Sequence, residues 1–384
     1  MLTDDQRQIR EGASALARSF PMTYWREHDQ SGEYPFEFVE AFARDDWLSI
    51  IIPEEYGGMG LGITEAAIMM EAIAGSGAGI SGASAIHFHI FPPGPIIKHG
   101  SEEMKRRYLP SIARGELLMA FGVTEPTSGT DTSRIKMRAT RRGDNWVING
   151  QKVWTTNAQN AQKILLLTRT SARDESRPLD GMTLFFTDLD RDRCTIKRID
   201  KLGRAAVDSN EVFIDDLEAT DDDLVGEVGK GFYHLLDGLN PERIVVAMES
   251  IGMGRAALSL ALDYVKQRIV FDRPIGANQA VAHPLAKRWA ELEAAELMAL
   301  KAGWQYDNGQ PCGPEANTAK YLAADAGFLA CDASLQAHGG FGYAKEYHVE
   351  RLWRESRLFQ IAPISQEMVL NYISHKCLGL PRSY

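Results

Sequence analysis

The residues best suited to chemistry fall in a few short segments. Phe121-Gly122-Val123-Thr124-Glu125-Pro126-Thr127-Ser128-Gly129-Thr130-Asp131 gathers hydroxyls around a glycine. Backbone N–H groups freed by glycine, together with short hydroxyls, suit a pyrophosphate or the polar edge of a heterocycle, and equally an ordinary polar turn. The segment is not a G-x-G-x-x-G fingerprint and lacks the strand-to-helix setting of a dinucleotide fold. Further on, Asn149-Gly150 predicts a hairpin turn that delivers Trp154, Thr155 and Thr156 onto the next strand. Alternation sends Trp154 and Thr156 to one face, where an indole can stack on a flat ring while a hydroxyl bonds one of its atoms; a core tryptophan is the plain alternative. Gln336-Ala337-His338-Gly339-Gly340-Phe341-Gly342-Tyr343 sets glycines between two helical stretches, allowing close backbone approach or simply a helix-breaking turn. In Leu239-Asn240-Pro241-Glu242-Arg243-Ile244 a carboxylate follows a proline, a place where a first helical turn uses it to satisfy the helix dipole. His87 and His89 alternate on the way into Phe91-Pro92-Pro93, and lone histidines are most often packed or solvated.

These segments must be positioned by three stretches of differing texture. Residues 1–119 predict a helical bundle: Thr3 with Gln6 makes a capping-box pattern, and Ile9, Ala13, Leu16 and Ala17 recur on one face. Pro53 to Gly60 breaks that pattern as a loop. Residues 120–228 carry short β-rich runs, read as a compact, barrel-like β domain. Residues 229–384 return to helical periodicity and predict a four-helix bundle, with Ile244, Met248 and Ile251 on one stripe and Leu285, Trp289, Leu292 and Leu297 on another. Asp307 to Pro311 connects two of its helices. The class is α+β, mostly α, and a cleft where the three stretches meet is the natural place for a ligand.

Composition narrows the partners. A chain of 384 residues with a net charge of −10 is poorly suited to nucleic acid, which is bound by neutralising phosphates with lysine and arginine. No run approaches the ~18 to 20 uninterrupted apolar residues of a membrane helix, so no span is expected. The four cysteines have no paired spacing, and Asp221-Asp222-Asp223 predicts a solvated turn rather than a metal site. The opening Met1-Leu2-Thr3-Asp4-Asp5 has no basic and apolar leader, which points to the cytoplasm, or to the mitochondrial matrix if a transit peptide has been removed.

Taken together and in order, Pro53 to Gly58, Val123-Thr124-Glu125-Pro126 through Asp131, Trp154-Thr155-Thr156, Arg268-Ile269-Val270-Phe271 and Gln336 to Gly342 resemble the acyl-CoA dehydrogenase family over essentially the whole chain. The resemblance implies noncovalent FAD and a homotetramer built as a dimer of dimers. By that likeness Thr124 meets the flavin pyrimidine, Thr130 the pyrophosphate, Trp154 the ring face and Thr156 the reactive N5, with Phe121, Val123 and Gly129 also cofactor-binding. Arg268, Phe271, Gln279, Gln336, Gly339 and Gly340 reach the FAD of a neighbouring subunit, and Ser365 and Glu367 lie beside the flavin. Arg134 departs from the family pattern, which holds a small residue there.

The family reaction removes an α proton from an acyl-CoA thioester with a carboxylate while the β hydrogen leaves as hydride. The base must be desolvated so that its pKa rises toward working pH. One family position for that base lies on the loop Ile361-Ala362-Pro363-Ile364-Ser365-Gln366-Glu367, where Pro363 stands in place of glutamate. The other falls on Glu242, in a Glu-Arg pair similar to the isovaleryl-CoA and long-chain branches. Glu242 is therefore the expected base and Glu367 the fallback, with Arg243, His87 and His89 as candidate substrate-side residues. The leading expectation is an acyl-CoA dehydrogenase passing electrons to an electron-transferring flavoprotein. An oxidase or monooxygenase on the same scaffold is the alternative. A DNA-associated relative ranks last, because the chain is acidic and lacks an added basic domain.

Overall fold

The computed structural model describes residues 2–382. Helix Asp4–Arg18 opens on a closed capping box, with the Gln6 N–H donating to Thr3 Oγ1 at 3.2 Å and the Thr3 N–H to Gln6 Oε1 at 3.1 Å. Ile9, Ala13 and Ala17 turn inward and Leu16 packs at their margin. Six further helices follow among the described residues, of which Ile63–Ile73, Gly79–His87 and Pro93–His99 approach the site. Pro53 to Gly60 forms the expected loop, tightened by a 3-10 turn at Glu54–Tyr56. Gly58 is required there, because a Cβ would sit 1.9 Å from the Ile52 carbonyl oxygen.

The axis of the molecule is helix Gly231–Gln267, which buries Ile244, Met248 and Ile251 as expected. Glu242 lies well inside this helix rather than in a first turn, so the helix-dipole role suggested by Pro241 falls away. By length and composition the helix could cross a bilayer, but 83% of its most apolar window is buried inside the protein, as befits a core helix. Ile63–Ile73 crosses it closely: a Cβ on Gly252 would stand 2.2 Å from the Glu71 carbonyl oxygen. Helices Gln279–Asp307 and Gly313–Ala337 complete the long part of the C-terminal bundle, with the short Val349–Ser356 and Gln366–Tyr372 packed beside them. Phe38, Ile68, Met248, Leu292 and Leu352 belong to one continuous core, so the N-terminal and C-terminal helices are a single packed body. Asp307 to Pro311 is the connection predicted for it. Trp289 and Leu297 depart from expectation, standing 57% and 62% exposed. The buried seam of their helix follows Leu285, Leu292, Ala295, Ala299 and Ala302, a narrow heptad-like stripe that leaves both residues on the outer face.

Between the helical parts lies a mixed sheet of β1 (Met119–Gly122), β2 (Arg138–Arg142), β3 (Asn145–Thr156), β4 (Lys163–Arg169), β5 (Met182–Asp188), β6 (Cys194–Arg198), β7 (Ser209–Ala219) and β8 (Leu224–Val225). The order is β6-β7-β3-β2-β4-β5-β8, with β1 parallel to β4. The sheet is open, not barrel-like. Strands β6 and β8 remain at opposite ends, β8 is two residues long, and β2 meets β4 only through Arg138 opposite Arg169. The hairpin expected at Asn149-Gly150 is also absent; these residues lie inside β3, at a break in its register with β7. The Asn149 side chain instead bonds across the sheet, Nδ2 donating to Asp216 Oδ1 at 3.0 Å and Oδ1 accepting the Asp216 N–H at 2.9 Å. The actual turn joins Arg142 to Asn145 through Gly143, whose φ is +63°.

Candidate active site

Helices Ile63–Ile73, Pro93–His99 and Gly231–Gln267 enclose a cavity of ≈ 300 Å³. Phe91, Pro95, Pro241, Val245 and Tyr306 give it largely apolar walls, and Glu242 stands in one of them. Pro241 has no N–H to donate to the carbonyl one turn back, at Asp237, and both residues line the cavity. Glu242 is half-buried, and what it faces is this enclosed space. Desolvation pushes its carboxyl up to about 7, against the favourable charges of His87 and Arg243, while Glu249 adds to the rise. Asp307 also lines the cavity. Its carboxylate accepts the N–H groups of Ile63 at 2.8 Å and Thr64 at 2.9 Å, capping a helix whose own N-cap, Gly62, has no side chain.

The substrate-side candidates divide. His87 is buried beside the cavity, its Nδ1 2.8 Å from Glu249 Oε1 and its ring centroid 5.9 Å from that of Phe91. Burial works against its proton, but Glu249 and Glu242 outweigh burial and hold its pKa above the usual imidazole range. His89 is buried away from the cavity lining, its Nδ1 without a partner, and desolvation pushes it down to about 4. Arg243 donates from Nη1 to Asn240 Oδ1 at 2.9 Å. Glu367 is exposed at the start of helix Gln366–Tyr372, where backbone N–H and Ser365 hold its carboxyl below the ordinary range; Ser365 itself caps that helix through the Met368 N–H. Pro363 is also exposed, and its loop is pinned where the Ile364 carbonyl accepts from buried Lys320 Nζ at 2.6 Å.

The residues expected at a flavin gather where β3 ends. Trp154 is 56% exposed with φ 60°, while Thr156 is buried, so the two do not share a face. The cause is a bulge between Lys152 and Thr155, which breaks the alternation. Thr124 is tied to this strand by accepting the Val153 N–H at 2.9 Å, and Phe121 packs edge-on against Phe91 at 5.0 Å. Gly129 and Thr130 lie on the exposed turn that follows. Two residues not anticipated from the sequence build this corner. Glu125 accepts from buried Lys152 Nζ at 2.9 Å and from the Met137 N–H at 2.9 Å, clamping the turn onto the sheet. Arg204, at φ 59°, donates to Thr156 Oγ1 at 3.2 Å and Ser209 Oγ at 2.7 Å. The Arg204 contact occupies one lone pair of Thr156 and leaves its O–H free to donate.

Arg268, Phe271, Gln279, Gln336, Gly339 and Gly340 are all exposed and remote from this corner in sequence and element. Phe271 is 92% exposed on a hairpin whose turn residues, Phe271 and Asp272, both have positive φ. A Cβ on Gly339 or Gly340 would meet nothing within 4 Å. These groups face outward from the chain. Arg134 reaches no further than Asp131, 2.8 Å away.

Three acyl-CoA dehydrogenase domain families match in series: N-terminal over residues 3–116, middle over 120–217 and C-terminal over 229–378. The chain belongs to the acyl-CoA dehydrogenase family. It is 37% identical to the acyl-CoA dehydrogenase fadE12 of Mycobacterium bovis, over 100% of this chain and 98% of that one. It is 32% identical to the caffeyl-CoA reductase-Etf complex subunit CarC of Acetobacterium woodii, over 87% of this chain and 88% of that one. The butyryl-CoA dehydrogenase structure from Megasphaera elsdenii superposes with a TM-score of 0.93 at 29% identity, covering 98% and 99% of the two chains. Acyl-CoA dehydrogenases are FAD-dependent oxidoreductases, and FAD is the cofactor of this chain. The β3 corner fits it: Trp154 offers an open indole, the Oγ1 of buried Thr155 and Nδ2 of buried Asn157 lack partners, and a Cβ on Gly129 would meet only the Thr124 methyl, at 4.0 Å.

Proposed function

We propose that this acyl-CoA dehydrogenase desaturates the α,β bond of an acyl-CoA thioester, with Glu242 as the base that takes the α proton. The observation that carries the reading is the placement of Glu242: a carboxylate in the wall of an apolar cavity, its pKa raised to about 7 by desolvation. A general base is most effective when its pKa lies near working pH. Glu367 lacks both properties, being exposed and held low. The apolar walls exclude water and suit a medium, branched or cyclic acyl group. Bound FAD supplies the hydride acceptor. Trp154 would cover its ring face and Thr156 would offer it a hydroxyl, while Thr124 with Phe121 and Val123 would hold its polar edge and Gly129 with Thr130 its pyrophosphate.

The outward-facing residues Arg268, Phe271, Gln279, Gln336, Gly339 and Gly340 then complete the FAD site of a neighbouring subunit. Support comes from apolar surface that one chain leaves uncovered, including Phe271, Trp289, Leu297 and Trp304, which is suited to a homotetramer. Electron-transferring flavoprotein is the acceptor we assign, in keeping with the Etf complex named for the Acetobacterium woodii relative. An anaerobic screen of acyl-CoA thioesters for bleaching of the bound flavin tests the reading. Reduction by the thioester but not by its free acid is expected; equal reduction by both would count against it. Rapid oxygen uptake during turnover would favour an oxidase on this scaffold.

A further inference from the structure

One buried ionisable pair takes no part in the chemistry above. His87 ends helix Gly79–His87, and Glu249 faces it from Gly231–Gln267, with side chains 10% and 3% exposed and 2.8 Å between Nδ1 and Oε1. Such a pair is poor value for stability, since packed apolar residues of similar volume usually serve as well, while loss of one partner strands a charge. Its position suggests another use. Phe91, one turn beyond His87, lines the cavity that holds Glu242. Glu249 follows Glu242 on the same helix by about two turns, or ~10.5 Å of rise. The imidazole therefore lies buried behind the Phe91 wall of the cavity, bonded to Glu249 and within electrostatic reach of Glu242. It is also held firmly: Glu355 accepts the Ile80 N–H at 2.9 Å and the Ser81 hydroxyl at 2.6 Å, and Arg351 donates to the Gly77 and Ala78 carbonyls, anchoring the start of the helix that carries it. Among the described residues, His87 Nε2 has no hydrogen-bond partner.

We propose that His87, fixed as an imidazolium by Glu249, is the charge partner of Glu242: it holds the base ionised before proton abstraction and so sets the pH range of flavin reduction. The inference rests on Glu242 being the base. Glu242 faces Arg243 and Glu249 from its own helix and His87 from Gly79–His87; His87 in turn faces Glu249, Glu242 and, from the loop before β7, Arg204. Lys98, His234, Asp237 and Asp307 also line the cavity, His234 and Asp237 from the helix that carries Glu242. The charge of His87 works with that of Arg243 to hold the Glu242 carboxyl down, while Glu249 opposes them. Arg204 donates to the Ser84, Thr156 and Ser209 hydroxyls and is coupled to Glu249, but it is not among the charges that act on Glu242. Because these groups titrate together, apparent midpoints belong to the cluster.

The double variant H87Q/E249Q removes both charges while two amides can retain a hydrogen bond. With FAD bound, its pH profile for single-turnover flavin reduction should move alkaline by about one unit, costing about tenfold on the acid limb and little on the alkaline plateau. Difference infrared spectroscopy without substrate should show the Glu242 carboxylic acid band, assigned by its loss in E242Q, persisting to correspondingly higher pH. H87Q alone leaves Glu249 unpaired and should shift at least as far. A rate lowered equally at every pH, with the infrared midpoint unmoved, would make the pair merely structural and overturn the proposal. Normal flavin reduction by E242Q would instead overturn the base assignment, whatever the double variant does.

Discussion

At the scale of single residues, the decisive contrast is between two glutamates that the family resemblance ranks but that local residue pattern does not separate. Glu242 follows a proline and Glu367 follows Ser365-Gln366, and either could serve a helix terminus. The fold separates them by environment, since Gly231–Gln267 begins well before Pro241 and carries Glu242 into the cavity, whereas Glu367 stays in solvent. E242Q should retain FAD and fold, yet lose flavin reduction by ~100-fold or more, the low end for a positioned base. E367Q should lose much less; stopped-flow reduction with an accepted thioester checks both. Stability should move the opposite way. The folded-state pKa of Glu242 is raised to about 7, so the folded chain binds a proton there that the unfolded chain releases near the ordinary carboxylate range. The stability this proton brings is present at low pH and is lost as pH rises through about 7. E242Q has no such proton to lose. Its melting temperature relative to the parent should therefore climb between about pH 5 and about pH 8, and a constant difference would show that Glu242 is not desolvated.

At the scale of elements, what could be read from the sequence was what is locally determined. The Thr3–Gln6 box and the Asp307–Pro311 connection involve residues adjacent in the chain, and both form as expected. Asn149-Gly150 failed because its turn propensity competes with long-range pairing: β3 runs on through it, and Asn149 satisfies both side-chain groups on Asp216. The residues expected at the cofactor form motifs in the sequence, but the contacts that hold their corner, Lys152 with Glu125 and Arg204 with Thr156, join residues 27 and 48 positions apart and leave no local pattern. Asp307 is of the same kind. It was read only as the start of a connection, yet it caps Ile63–Ile73 across the molecule. D307A should cost about 1 to 2 kcal/mol, the upper part of the range for losing a cap, seen as a lower melting temperature. D307N, which can still accept one N–H, should recover part of it. A D307A protein as stable as the parent would mean that solvent satisfies the Ile63 and Thr64 N–H groups.

At the scale of the whole molecule, the chain carries an outward face that its own fold does not use. Helix Gln279–Asp307 spends its narrow buried seam on the core and presents Trp289, Leu297 and Trp304 to the outside; nearby, the β-hairpin after Gly231–Gln267 holds Phe271 92% exposed in a conformation with positive φ. An aromatic residue in such a backbone state is uncommon without a compensating contact. A neighbouring subunit that both covers the apolar helix face and offers its FAD to Arg268, Phe271 and Gln336 would account for all of these features together. Assembly and cofactor retention should then be coupled. L297E, at an exposed position not itself assigned to FAD, should shift the protein toward smaller species in sedimentation velocity and, on dilution, release FAD faster than the parent. R268A should weaken FAD retention with the assembly intact. Retention of FAD by dissociated L297E would show that each chain binds its cofactor alone, and full occupancy in dilute R268A would remove Arg268 from the site.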